Sequence, residues 1–126
     1  MGDQYVLTKL GKAVNSFYDD AAPVPTPDGK GLYYFIANHP ENKHGKNGSQ
    51  DIWYCERDSL FAEWKERVHL GSPFNSHQFN QVMSVSSGGN TLLVRGGKSA
   101  GDMNGLSIIR RAGGSWYNPE ELILRI

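Results

Sequence analysis

The chain repeats itself, and that constrains it more than any other feature. Shifted by 60 residues, Leu10-Gly11 falls on Leu70-Gly71, Val14-Asn15-Ser16 on Phe74-Asn75-Ser76, Gly29 on Gly89 and Leu32 on Leu92. Further along, Ile52 falls on Leu106 and Trp64 on Trp116, at offsets of 54 and 52. The shrinking offset means that the second copy lacks about eight residues, all lost between positions 36 and 64. In 126 residues there is room for one core, since a chain of this size buries roughly 65–70% of its unfolded surface. That core must be built from two related halves.

Each half reads as all-β. Ala22–Thr26 is a short strand. Pro27-Asp28-Gly29-Lys30 is a tight turn, where Pro presets φ and Gly is free to take φ > 0. Leu32–Ala37 is aromatic and β-branched without helical spacing, so it is a buried strand. Asn38–Gln50 is a long polar loop, Asp51–Arg57 a third strand, Asp58–Glu63 a connection and Trp64–Leu70 a fourth strand. The second half gives strands at Val82–Ser86, Leu92–Arg95, Leu106–Arg111 and Trp116–Arg125, with Gly-rich turns at 87–90 and 112–115 and a Gly-rich loop to Asn104. Fifteen Gly and six Pro fit so many turns. Four strands in a meander, repeated at 40–60 residues, have the length of a propeller blade. The expected units are 1–13, an N-terminal strand continuing a preceding blade; 14–73, blade one; and 74–126, blade two. Within the first unit, Tyr5–Lys9 aligns with Lys65–His69 as an orphan outer strand expected to pair with a blade edge.

The order of residues in the first copy resembles the TolB-type (WD40-like) β-propeller repeat. Pro27-Asp28-Gly29, Leu32-Tyr33-Tyr34, Asn38, Pro40, Asp51-Ile52-Trp53, Trp64 and Leu70-Gly71 carry the resemblance, which covers about residues 10–126. It is weaker in the second copy, where Gly88-Gly89 stands for the Asp-Gly turn and Gly105-Leu106-Ser107 for Asp-Ile-Trp. What the resemblance implies is a fold, and a bacterial periplasmic or envelope setting. No signal peptide is legible in Met1-Gly2-Asp3-Gln4-Tyr5, which points to the cytoplasm if the chain is complete.

Two blades cannot close a ring of four to eight. Two apolar faces would be left bare, and a heterologous contact of suitable rotation closes them by self-association. Unless the chain is a fragment of a larger propeller, three copies give six blades, the number common in propellers of the TolB type, and four give eight; a homotrimer is expected.

Composition excludes several function classes. Thirteen basic and thirteen acidic residues give zero net charge, against the basic excess of a nucleic-acid binder. No apolar run is long enough to span a membrane. One cysteine, Cys55, precludes an internal disulfide; mid-strand, it reads as a small buried thiol. No GxSxG, HExxH or P-loop occurs, and the adjacent Asp19-Asp20 would point to opposite faces of a strand, unlike the paired carboxylates of a glycosidase. The expectation is a protein with no catalytic site, no cofactor and no metal.

Function is then sought on the loops. Asn38–Gln50 carries two histidines and both signs of charge, and loops of that length are often functional. The candidate ligand-binding residues are Asn38, His39, Lys43 and His44 of this loop with Asp19, Asp20 and Phe79 from the connections that share its face. Phe17, Tyr18 and Phe74 are further loop aromatics, whereas Trp53, Trp64, Trp116, Tyr33, Tyr34 and Phe35 read as packing between blades. The expected ligand is a protein, peptide or glycan. A lectin is the alternative, with shallow pockets between blades, and a propeller hydrolase or lyase the remoter one.

Overall fold

A computed structural model describes residues 20–75, 79–95 and 105–122, and the side chains of all of these except Asp20 and Ala21. The expectations for Tyr5–Lys9, Phe17, Tyr18, Asp19 and the loop from Gly96 to Asn104 lie outside the described residues.

The described chain is all-β, in two antiparallel sheets. Sheet one has β1 (Asp20–Pro25), β2 (Gly31–Ala37), β3 (Gln50–Glu56) and β4 (Val68–His69) in the order β1-β2-β3-β4. Sheet two has β5 (Gln81–Val85), β6 (Thr91–Arg95), β7 (Leu106–Ala112) and β8 (Ser115–Trp116) in sequence order, with β9 (Glu120–Glu121) also pairing with β7.

The duplication read from sequence holds at the level of single hydrogen bonds. Thr26 N–H to Gly31 O and Gly29 N–H to Thr26 O close the β1–β2 turn. Sixty residues on, Ser86 N–H to Thr91 O and Gly89 N–H to Ser86 O close the β5–β6 turn. Gly31 N–H also bonds Thr26 Oγ1, as Thr91 N–H bonds Ser86 Oγ. In the third strand the offset is 54: Leu32 opposes Cys55 as Leu92 opposes Ile109. In the outer strand it is 52. Lys65 N–H to Glu56 O is matched by Tyr117 N–H to Arg110 O, and Leu70 N–H to Ile52 O by Leu122 N–H to Leu106 O. Arg57 covers the Trp64 ring at 4.4 Å, and its counterpart Arg111 covers Trp116 at 4.8 Å. Even the inner strands are bulged alike, between Ala21 and Val24 and between Val82 and Ser84.

The outer strands are shorter than the continuous runs expected. β4 is confined to two residues, and the run Trp116–Arg125 is broken into β8 and β9. The break in sheet two falls at Asn118-Pro119, where proline has no N–H to give to the ladder. The connection 58–63 is a set of turns without a helix.

The sheets pack face to face. Because side chains alternate across a strand, each sheet has a front and a back. On sheet one the front carries Leu32, Tyr34, Ile36, Trp53 and Cys55, with Trp64 packed on them. Its back carries Tyr33 and Ile52, which meet the front of sheet two: Leu92, Val94 and Ile109, with Val82 and Phe74. Front packs on back, so the two sheets are related head to tail. The front of sheet one is itself buried, with Tyr34 1% and Ile36 0% exposed. The back of sheet two is not: Leu93 and Ile108 are half-buried and Met83 is 39% exposed. Of the two bare faces expected, one is present.

The turn glycines provide a paired test. Gly29 and Gly89 both hold positive φ, 74° and 76°. A Cβ on Gly29 would meet Leu60 Cδ2 at 2.7 Å, whereas on Gly89 the nearest atom is Pro27 Cδ at 3.9 Å. Ala at either site is strained by about 1 kcal/mol. Gly29→Ala is expected to cost more than Gly89→Ala in urea unfolding; equal costs would show that Leu60 moves aside freely.

Candidate functional site

The loop 38–49 between β2 and β3 was expected to be a long polar loop without internal structure. It is instead built around its own amide side chains. Asn38 takes φ 59°, a conformation Asn tolerates, and its Oδ1 accepts from Gly48 N–H (2.7 Å) and Ser49 N–H (3.0 Å). Asn42 is buried; its Nδ2 donates to Ile36 O (2.8 Å) and Ser49 Oγ (3.0 Å), and its Oδ1 accepts from Trp53 Nε1 (2.9 Å). The loop is thereby tied to the front of sheet one.

Beneath it lies Asp51, 0% exposed on β3. Its Oδ2 accepts from Lys43 N–H (2.7 Å) and faces His69 Nε2 at 2.7 Å; its Oδ1 accepts from Asn80 Nδ2 at 3.2 Å. A carboxylate only accepts, so the His69 ring is the donor. Three segments distant in sequence, the loop, β4 and the connection into sheet two, converge on one buried acid. Asn75 acts on the backbone of β3. Its side-chain amide accepts from Ile52 N–H (2.6 Å) and donates to Ile52 O (2.9 Å) and to Leu70 O, standing in for a neighbouring strand.

The expected ligand-binding residues distribute as follows. Asn38 shapes the loop. His39 is 8% exposed, lies 4.5 Å from the Trp53 ring, and accepts from Glu41 N–H at Nδ1 (3.0 Å). Lys43 and His44 are exposed. Phe79 is half-buried and bridges Gln50, which brings the connection into sheet two to the same end as the loop. The backbone of Asp20 pairs with Ile36 at that end too. Phe74, read as a loop aromatic, is a core residue: it is 7% exposed and meets Trp116 edge-on at 5.3 Å. Cys55 is the small buried thiol expected, whereas Trp53 and Tyr34, expected between blades, are buried beside it on the front of sheet one.

Burial holds His39 below the usual imidazole range, opposed by Glu41. Its folded pKa lies under its unfolded one, so below the unfolded value near 6.5 the unfolded chain binds more protons. Stability is therefore expected to fall as pH drops through that value and to level off below the folded one. Protonation also removes the Nδ1 acceptor that holds Glu41 N–H. Urea unfolding at pH 7.5 and 5.5, compared with His39→Gln, checks this: the variant should lose part of the dependence, and an unchanged dependence would contradict it.

Sequence reasoning missed the Asp51–His69 pair, Asn42, Asn75 and Asn80. The available signal was Asp51 itself, a charge inside a strand whose neighbours Ile52, Trp53 and Cys55 are all apolar. It also missed a cavity of about 500 Å³ at the opposite end of the strands, between the turns 26–31 and 87–89. Among the described residues no cluster of His, Cys, Asp and Glu is arranged to hold a metal ion, and no helix is long and apolar enough to cross a membrane.

A scan against family models found no match for this chain, and searches of curated proteins and of solved structures found none either.

Proposed function

We propose that the protein is a non-enzymatic binding module: a TolB-like β-propeller built by oligomerisation, whose chain supplies two blades and whose homotrimer makes six. The observation that carries this reading is the back of sheet two. It is the repeat counterpart of the very face by which sheet one packs on sheet two, yet Leu93 and Ile108 on it have no sheet over them among the described residues. A heterologous contact between copies covers it with a surface of the next copy.

In that assembly the loop 38–49 recurs around one rim, so weak contacts gain by multivalency. The ligand, a protein, peptide or glycan, is taken on this face by the exposed Lys43 and His44 with Asn38, His39 and Phe79. The rigid underpinning of the loop by Asn42 and Asp51 supports a preorganised surface. Deleting the loop is a poor test, because it removes Asn42 from Trp53 and the Lys43 N–H from Asp51. Lys43→Ala with His44→Ala keeps the backbone bonds. On peptide and glycan arrays the double variant is expected to lose at least tenfold in signal against any hit of the native chain. Full retention moves the ligand off this face.

A further inference from the structure

The cavity between the sheets lies at the other end of β2 from the loop. Its walls come from both sheets: the β1–β2 turn, the end of β3, and the β5–β6 turn with Arg111. Two tyrosines form its floor. Tyr33 is 6% exposed, and its ring lies 4.9 Å from that of Tyr54, tilted by 46°. Both line the cavity, and neither hydroxyl has a hydrogen-bond partner among the described residues. Neither is sealed from solvent, so each presents a donor and an acceptor to whatever enters the cavity. Gly31 makes the room: a Cβ there would run into Tyr54 Oη and meet Thr26 Cγ2 at 2.8 Å.

The second copy of the repeat shows which of these features the sheet needs. At the counterparts of Gly31, Tyr33 and Tyr54 it has Thr91, Leu93 and Ile108, while the structural residues Gly29, Leu32 and Arg57 recur as Gly89, Leu92 and Arg111. The ladder forms equally well without the tyrosines and the small residue. They are particular to this cavity, and the second copy does not reproduce it among the described residues.

The chemistry of the walls defines the class of ligand. Asp28, Glu56 and Asp58 are balanced by Lys30, Arg57 and Arg111, so the cavity has no excess charge to select an ion. Burial, with Tyr54 and against Arg111, pushes the Tyr33 phenol up to about 12, so it keeps its proton and both donates and accepts. Tyr54 is raised as well, chiefly by burial. Arg111 is steadied by Asn90 Oδ1 (3.1 Å) and Gly89 O (3.4 Å). Phenols, guanidinium and carboxylates together offer donors and acceptors in mixture beside two aromatic rings. The volume is within the range of small-ligand pockets.

We infer that this cavity binds an uncharged, hydroxyl-rich ring: a monosaccharide or the terminal sugar of a glycan, held by the Tyr33 and Tyr54 hydroxyls and Arg111. The site is independent of the loop face and of the assembly, since both walls belong to one chain.

The test is saturation-transfer NMR on the full chain with glucose, galactose, mannose, fucose and N-acetylglucosamine, each at millimolar concentration. Glycine, acetate and phosphate are the charged comparators. At least one sugar is expected to receive saturation. Tyr33→Phe, which keeps the ring and the fold, is expected to weaken it about five- to tenfold, the effect of one hydrogen bond. Gly31→Thr, which installs the residue of the second copy, is expected to abolish it. The native chain binding none of the sugars, binding only the charged comparators, or binding a sugar equally well in the Tyr33→Phe, Tyr54→Phe double variant would each overturn the inference.

Discussion

Asp51→Ala is expected to lower unfolding stability by about 3–5 kcal/mol, the range seen when one partner of a buried charged network is removed. The acid is 0% exposed and receives Lys43 N–H, Asn80 Nδ2 and His69 Nε2. Truncation takes the carboxylate from all three donors, leaving Asn80 Nδ2 with Gln50 O at 3.3 Å and the His69 ring with its partly exposed edge. A domain of this size has about 5–15 kcal/mol in total, so the loss is a large share of it. The expected drop in melting temperature is roughly 10–20 °C. Asp51→Asn keeps the volume but turns an NH₂ group toward donors, so it should recover little. A change below about 1 kcal/mol for Asp51→Ala would show the network to be solvated in practice.

The second large effect concerns association. Leu93 and Ile108 are cross-strand partners on the back of sheet two, half-buried in the isolated chain. Asp at both positions sets two like charges opposite each other on the face proposed to receive the next copy. In the free chain these positions reach solvent, so the fold should survive. In the assembly the charges would be buried unpaired. A loss of at least 100-fold in association is expected, seen as a shift to the monomer in sedimentation at micromolar concentration. An assembly that persists in the double variant would place the contact elsewhere.

The fold was legible where the sequence pattern is set by local geometry. Pro27-Asp28-Gly29 and Gly88-Gly89 mark the turns because positive φ at Gly29 and Gly89 is a local demand. The offsets of 60, 54 and 52 reappear in the ladder because an antiparallel register, once set by its turn, carries along the strand. The front and back of sheet one were partly legible in the apolar run Leu32–Ile36, which is continuous because both faces are buried. The loop was not legible, since Asn38 and Asn42 have the composition of a solvated segment and order it through side-chain bonds without any period. Asn75 and Asn80 looked like connection residues; only packing brings them onto Ile52 and Asp51. Tyr33, expected in packing between blades, lies in the core the two sheets share, but nothing in its spacing or that of Tyr54 reveals that Gly31 leaves a cavity over them.

The central claim is that this chain is two copies of one sheet unit that stack head to tail, and that such chains associate in turn as a homotrimer. Absolute mass from light scattering coupled to size exclusion tests it most directly. The account predicts a single species of about 42 kDa, three times the 14.0 kDa of the chain. A monodisperse species of 14.0 kDa, or a dimer pairing two open backs, would contradict it.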